Sequence, residues 1–148
     1  MTLRKTTAAI IVYAAIAGLT SVALAAFAAH GLSKVAPTGE QGVAWFTQAT
    51  DFQMNHALAL ILLAVLTDRM ADGVARTICL VAAGLMSVSI ILFAGSLYSL
   101  SFNGPGDLAP VGGFCSMIGW AIFAGGAVLA ARKGEFTSRL RPQAQPAE

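Results

Sequence analysis

The chain has 148 residues, of which 57% are hydrophobic and 11% are charged, and its mean hydropathy is +0.74. Soluble domains usually carry about 25% charged residues, so this composition excludes an ordinary soluble protein and indicates an integral membrane protein. The net charge of +2 comes without interleaved basic and aromatic residues, which argues against a nucleic-acid partner. We therefore expect the lipid bilayer to be its principal surroundings.

Four apolar stretches are long enough, or nearly long enough, to cross a bilayer as helices. A spanning helix needs about 20 residues, because the hydrocarbon core is about 30 Å thick and each residue rises about 1.5 Å. The predicted spans are about residues 8–29, 52–67, 77–100 and 112–131. The second has only 16 residues between Asp51 and Asp68, just below the usual range. The sequence thus predicts an all-α protein, a four-helix transmembrane bundle.

The charges beside these spans predict how the chain is oriented. Basic residues next to a span stay on the cytoplasmic side. Eight of the nine lie before the first span, between the second and third, or after the fourth, and only Lys34 lies in the other two loops. We predict an inner-membrane protein with both termini cytoplasmic: an N-terminus (1–7), one transmembrane domain (8–131), and a tail (132–148) that is basic and then rich in Pro and Gln.

The first span could instead belong to a cleaved signal peptide, since Arg4 and Lys5 precede it and small residues occur near its end. Its 22 apolar residues exceed the usual ~7 to 15 of a signal-peptide core. We therefore predict that it is a retained membrane span.

The two predicted outer loops differ in character. In residues 33–50, Thr38 and Gln41 have the spacing of a capping box, which predicts a short helix lying in the membrane interface before the second span. Trp45 would then be an interface anchor, and a ligand-lining Trp45 is the alternative. Residues 103–110 are rich in Gly and Pro and predict turns.

Small residues recur at four-residue intervals, which places them on one face of a helix. Such faces let helices approach closely in lipid, where hydrophobic exclusion gives no driving force. The predicted packing residues are Gly18 in the first span, Ala83, Ser87 and Gly95 in the third, and Gly112 and Gly113 in the fourth. Whether these faces meet one another or a second copy is left open by the sequence.

With both termini inside, the polar residues of the spans gather at the outer end. They are His30, Gln53, Asn55, His56, Ser96 and Tyr98. Gln53 and His56 are three residues apart and share a helix face, whereas Asn55 points about 100° away from His56. Polar groups at membrane depth either join helices by hydrogen bonds or form a functional site.

Four stretches of the chain resemble the motifs of a known family. They are AFAAHGL (26–32), FQMNHALALILL (52–63), LFAGSLYSL (92–100) and PVGGFCSMIGW (110–120). In order and spacing they resemble the small membrane proteins grouped as domain of unknown function 423, relatives of eukaryotic transmembrane protein 256. Ala28 and Phe52 are mild departures, since the family usually has Gly and Tyr there.

The resemblance covers most of residues 8–131 and implies a four-span bundle in the inner membrane. It places these residues at motif positions: His30, Gln53, His56, Gly95, Ser96, Leu97, Tyr98, Gly112 and Gly113. The family carries no established activity, so the resemblance implies no substrate or cofactor.

The sequence favours a non-enzymatic accessory or assembly bundle, packing with itself as a homo-oligomer or with a larger membrane complex. The alternative is an outer-leaflet site for a haem, a quinone or a metal, using His30 and His56 as ligands and Tyr98 toward a quinone oxygen. A small oligomeric transporter is less favoured, because the predicted spans contain no charged residue. A hydrolase is least favoured, because Ser96 and Ser99 lack an acid partner and a nucleophile elbow.

Overall fold

The computed structural model describes residues 3–134, so most of the predicted tail lies outside the described part. Four long helices make up this region: α1 (Lys5–Val35), α2 (Gly39–Arg69), α3 (Val74–Leu100) and α4 (Ala109–Arg132). Each is long and apolar enough to cross a membrane. No strand occurs among residues 3–134. The predicted all-α fold with four candidate membrane spans is confirmed.

The second helix is much longer than the predicted second span. It has 31 residues, and it contains both Asp51 and Asp68, which the sequence had suggested as its limits. The short interfacial helix predicted within residues 33–50 was therefore wrong, because residues 39–50 are the first turns of α2 itself. Only residues 36–38 separate α1 from α2.

Packing explains why α2 starts so early. The ring of Phe46 lies 5.9 Å from that of Phe27 in α1, 4.6 Å from that of Tyr98 in α3, and 6.3 Å from that of Phe102. This aromatic cluster holds the first turns of α2 against two other helices. Residues 39–50 are thus stabilised as a helix by the burial of one face, although the other face is polar. A count of apolar residues does not detect this kind of stabilisation.

The predicted capping box at Thr38 was also wrong. Thr38 precedes the first residue of α2, but it makes no capping hydrogen bond. Its hydroxyl instead donates to the carbonyl oxygen of Ser101 at 2.7 Å, and the Ser101 hydroxyl donates to the carbonyl oxygen of Gly42 at 2.9 Å. These two bonds tie the start of α2 to the residue that follows α3.

The helices alternate in direction along the chain. α1 packs along α2, α3 packs along α4, and α2 also contacts α3. Both ends of the described chain therefore lie at one end of the bundle, together with the turn between α2 and α3. The core includes the side chains of Leu60 and Leu63 of α2 and of Met86 of α3.

That end of the bundle, the charged end, is held by Arg4, Asp68, Asp72 and Arg76. The Asp72 carboxylate lies 2.8 Å from the guanidinium of Arg4 and 3.4 Å from that of Arg76, and it is largely exposed. Asp68 is buried and accepts hydrogen bonds from the backbone N–H of Arg4 and the hydroxyl of Thr7, at 3.3 and 3.2 Å. Charged groups thus join α1, α2 and α3 at this end.

Three glycines of α4 allow it to approach α3 closely. Gly112, Gly119 and Gly126 are seven residues apart, which keeps them on one face of the helix. A Cβ added at Gly112 would overlap the backbone of Phe93, and one added at Gly126 would lie 2.7 Å from the sulfur of Cys79. The absence of side chains at these positions therefore sets the distance between α3 and α4.

Two helices contain a π-helical turn, at Ala28–Leu32 in α1 and at Ile90–Ala94 in α3. Both turns lie in the half of the bundle away from the charged end. π-helical turns are rare and occur frequently at functional sites. Their position therefore favours a functional site in this half of the molecule.

Candidate functional site

Hydrogen bonds between helices define a group of polar residues that we call the neutral ties: Gln53, Tyr98, Thr20, His56 and Ser116. Gln53, His56 and Ser116 are buried, Tyr98 is half-buried and Thr20 is exposed. Each bond in this group joins two different helices, and α2 takes part in all of them. The group lies within the bundle, in the half away from the charged end.

Gln53 is buried on α2 and bonds to the helices on both sides. Its amide nitrogen donates to the carbonyl oxygen of Ala17 and to the hydroxyl of Thr20 in α1, each at 2.7 Å. Its amide oxygen accepts from the hydroxyl of Tyr98 in α3 at 2.9 Å. An amide has two donor hydrogens and one acceptor oxygen, so every polar atom of this side chain has a partner. One residue thereby joins three helices.

His56, one turn further along α2, bonds to the fourth helix. Its Nδ1 lies 2.9 Å from the carbonyl oxygen of Phe52, and its Nε2 lies 2.6 Å from the hydroxyl oxygen of Ser116 in α4. A carbonyl oxygen can only accept, so Nδ1 carries the proton and donates. In a neutral ring Nε2 then accepts from the Ser116 hydroxyl. Both nitrogens are occupied.

Aromatic rings enclose the imidazole of His56. The ring of Phe52 stacks on it with centroids 3.9 Å apart, and Phe52 in turn lies 4.4 Å from the ring of Phe93 in α3. The ring centroid of Trp120 in α4 lies 6.3 Å from that of the imidazole, in an edge-to-face arrangement. These contacts fix the orientation of the imidazole. An external ligand must therefore displace Ser116 or Phe52 to reach either nitrogen.

The other predicted polar residues lie apart from this group. His30 is exposed in the π-helical turn of α1, and Asn55 is exposed on α2. Ser96 is buried in α3. Within residues 3–134, none of these three side chains makes a hydrogen bond, and no ring contact joins His30 to His56. Trp45 is half-buried against the contact between α2 and α3, where it packs on Ala49, Ala94 and Leu97.

The predicted packing residues have different surroundings. Ala83 is in the core, and the carbonyl oxygen of Ser87 accepts a 2.9 Å hydrogen bond from the hydroxyl of Tyr13. Gly112 lies against the backbone of Phe93, whereas its neighbour Gly113 would make only an ordinary contact through a Cβ. A Cβ at Gly18 or Gly95 would meet nothing within 4 Å.

An open groove of about 310 Å³ lies between α1 and α3, above Gln53. Its lining is mostly apolar, with polar groups from Gln53, Tyr98 and Thr20: Tyr13, Ile16, Ala17, Thr20, Gln53, Ile90, Ile91, Gly95 and Tyr98. The π-helical turn of α3 supplies Ile90 and Ile91. Gly95 leaves the groove open because it has no side chain.

The sequence did not single out Thr20, Ser116, Gly119 or Gly126. The seven-residue spacing of Gly112, Gly119 and Gly126 was a usable signal for the two glycines. Thr20 and Ser116 carry no comparable signal, because a hydroxyl within a span more often bonds back to its own helix. Their roles depend on which residues face them.

No group of three or more His, Cys, Asp or Glu side chains suited to hold a metal occurs in the described part of the chain. The neutral ties are instead amide, hydroxyl and imidazole groups bonded to one another across helix contacts. Four apolar helices joined in this way define a small multi-pass membrane protein.

Comparison with known proteins identifies the family. Residues 24–113 match the family described as "Protein of unknown function (DUF423)", and the chain belongs to this family. It is 35% identical over 127 residues to the "UPF0382 inner membrane protein YgdD" of Escherichia coli (strain K12), covering 84% of this chain and 92% of that protein. It is 38% identical over 122 residues to the "UPF0382 membrane protein YwdK" of Bacillus subtilis (strain 168), covering 80% and 94%.

The "UPF0382 membrane protein" of Haemophilus influenzae is 34% identical over 115 residues, covering 76% of this chain and 87% of that protein. No solved structure gives a significant match. The family predicted from the four motifs is confirmed. The names of the relatives specify a membrane location and no activity.

Proposed function

We propose that this protein is a non-enzymatic accessory or assembly bundle that packs with other helices in its membrane. One observation carries the proposal: every polar atom of Gln53 and both ring nitrogens of His56 are bonded within the bundle. The most chemically capable buried residues are thus used to hold helices together. Such bonds between membrane helices contribute about 0.6 to 2 kcal/mol each.

We propose the inner membrane as its location, with both termini cytoplasmic. The basic residues at the charged end support this orientation, because such residues stay on the cytoplasmic side. The name of the relative in Escherichia coli supports the inner membrane. The neutral ties would then lie toward the outer face, and accessibility labelling of thiols introduced at Glu40, Asp107 and Asp72 tests this. A thiol at position 72 that is reachable from outside the cell would contradict it.

The functional test is purification in mild detergent, followed by visible spectroscopy and mass spectrometry of retained small molecules. We expect colourless protein without stoichiometric haem, quinone or metal, and we expect cross-linking in native membranes to trap it with other membrane proteins or with itself. A haem band that disappears in the His30→Ala or His56→Ala variant would contradict the proposal and favour ligation by these histidines.

The groove between α1 and α3 favours a second candidate function, the binding of a lipid-soluble molecule such as a quinone. Its volume is at the lower end of the range for ligand pockets, about 300 to 1,000 Å³, and its lining is mostly apolar. The hydroxyl of Tyr98 already donates to Gln53, so a ligand would find acceptor oxygens at the floor of the groove. A ligand that donates a hydrogen bond, such as the reduced form of a quinone, fits this floor.

The Gly95→Leu variant tests this second function by filling the groove with a side chain. If a lipid-soluble molecule co-purifies with the wild-type protein, this variant should lose it, whereas Gly84→Leu, at a glycine of α3 that also has open space around it, should retain it. Equal retention by both variants would exclude the groove as the binding site.

A further inference from the structure

The exposed face of α2 is polar along half of its length. From Gln48 to Val65, its exposed residues recur at alternating intervals of three and four: Gln48, Asp51, Asn55, Leu58, Leu62 and Val65. We call the first three the polar stripe. Within residues 3–134, none of the three side chains makes a hydrogen bond or an ion pair. They point away from the bundle.

The other helices expose apolar side chains at the same level. Ile16 and Leu19 of α1 adjoin the residues that bond Gln53, and both are more than half exposed. On α4, Met117 adjoins the Ser116 that bonds His56, and it is 59% exposed. Ile91 of α3, near the Phe93 that packs on Phe52, is 63% exposed. The polar stripe therefore differs from the apolar side chains that the other helices expose at the same depth.

Membrane thickness places the inner part of the stripe within the hydrocarbon. About 20 helical residues span the core, so a core that begins near Thr67 at the charged end extends to about Thr47. Asp51 and Asn55 then lie roughly 6 and 12 Å inside it, at a rise of about 1.5 Å per residue. Unpaired amides and carboxylates facing lipid are costly, and such groups normally face protein. We therefore expect a protein surface, and not lipid, to cover this face of α2.

We propose that the polar stripe is the contact surface for a second copy of this chain, with the two α2 helices packed in parallel about a two-fold axis normal to the membrane. This deepens the proposed function, on which it rests, by naming the partner and the surface. Such an axis places the same residue of each copy at the same depth. Asn55 of one copy then faces Asn55 of the other.

The stripe complements itself chemically. An amide has both donor hydrogens and an acceptor oxygen, so facing Asn55 side chains bond to each other, and so do facing Gln48 side chains. In a parallel pair a residue also contacts the position one turn away on the other helix, so each Asn55 amide can donate to the other copy's Asp51 carboxylate. The two Asp51 carboxylates face each other as like charges, so the pair requires that they share a proton or accept hydrogen bonds from the Asn55 and Gln48 amides.

The spacing of the exposed face fits the same arrangement. Intervals of three and four repeat every seven residues, and this is the pattern of a parallel helix pair. Gln48, Asn55 and Leu62 take one core position of that pattern, and Asp51, Leu58 and Val65 take the other. A single Asn at such a position fixes register and the number of helices. Leu58, Leu62 and Val65 would extend the contact toward the charged end.

Cross-linking in native membranes tests the proposal. In a chain whose Cys79 and Cys115 are replaced by Ala, single cysteines are placed at Asn55 or Leu62 and, as matched controls, at Ile16 or Met117. The control positions are 57% and 59% exposed at comparable depth on other helices. Under mild oxidation we expect dimers at 55 and 62 and few at 16 and 117. Equal cross-linking at all four positions would indicate random collision and overturn the proposal.

A second measurement requires no introduced cysteine. Asn55→Leu should weaken dimerisation in detergent by about tenfold, which corresponds to about 1.4 kcal/mol. Thr47→Val is the matched control, because Thr47 is exposed on the same helix but bonds to its own chain at the carbonyl oxygen of Val43. We expect that variant to dimerise like the wild type, and both variants to keep the wild-type melting behaviour of the monomer fold.

The outcomes distinguish this proposal from the accessory function on which it rests. If Asn55→Leu leaves dimerisation unchanged, or if cysteines on the stripe trap only a different membrane protein, the second copy is excluded while the accessory role stands. If dimers form through α2 but the purified protein carries a stoichiometric haem or quinone, the stripe is supported and the accessory role fails.

Discussion

The two ends of the bundle join helices by different chemistry. At the charged end, Asp72 holds Arg4 and Arg76 by ion pairs that water reaches, because the Asp72 side chain is 79% exposed. In the other half, the buried Gln53 and His56 bond to neutral groups, among them the buried hydroxyl of Ser116 and the half-buried hydroxyl of Tyr98. Screened ion pairs contribute about 0 to 1 kcal/mol, whereas a buried group that loses its partner costs about 1 to 3 kcal/mol.

Within one copy, the helices are joined by charged groups where the bilayer ends and by uncharged donors and acceptors where water is excluded. Charged pairs buried at membrane depth would carry a large desolvation cost. Uncharged groups avoid that cost and still satisfy one another. The neutral half should therefore be the more sensitive to substitution, and four measurements test that expectation.

The largest effect is expected for Gly112→Ala. Its Cβ would overlap the backbone of Phe93, which cannot move aside as a flexible side chain can, so we expect a loss of about 2 to 3 kcal/mol in the free energy of unfolding. Gly113→Ala is the matched control, because its Cβ would lie 3.8 Å from the ring of Phe93. Equal losses for the two variants, measured by reversible unfolding in mixed detergent micelles, would refute this contact as the cause.

Gln53→Leu should have the next largest effect, a loss of about 2 kcal/mol in the free energy of unfolding. It removes three hydrogen bonds and leaves the Tyr98 hydroxyl without its acceptor. Combining it with Tyr98→Phe in a double-mutant cycle isolates the bond between the two side chains. We expect the double variant to lose clearly less than the sum of the single losses. Additive losses would show that the two side chains are not coupled.

Ser116→Ala should cost about 1 kcal/mol, because it removes the donor to Nε2 of His56. Ser99→Ala is the control, since the Ser99 hydroxyl makes no hydrogen bond within residues 3–134. Nitrogen NMR of labelled histidine in the wild type should also find the proton of His56 on Nδ1. A proton on Nε2 of the neutral ring would contradict the assigned direction of both bonds.

Asp72→Asn should have the smallest effect, about 0.5 kcal/mol or less, and it should vanish at high salt. Its two ion pairs lie at the surface, where water and salt screen them. A loss as large as that of Gln53→Leu would reverse the comparison between the two ends. The free energy of unfolding is measured for both proteins at low and at high salt, and the high-salt measurement is the control.

Several residues of the candidate site could be predicted from the sequence, but the hydrogen bonds that join them could not. Gln53, His56 and Tyr98 stood out because polar side chains are unusual within apolar spans. Their partners Thr20 and Ser116 did not stand out, since a hydroxyl within a helix usually bonds to its own backbone. Likewise, Gly112 was recognisable as a small residue, but its contact with the backbone of Phe93 depends on the register of α4 against α3.

The sequence alone was sufficient to predict the four apolar helices found within residues 3–134, because hydrocarbon thickness sets how long an uncharged stretch must be to cross a membrane. Tertiary structure decided where α2 begins, since burial of Phe46 against α1 and α3 carries the helix through a segment that is polar on its other face. It also decided that Gln53 and His56 bond to three different helices. Hydrogen bonds between helices depend on which faces meet, and the spacing along a single helix does not contain that information.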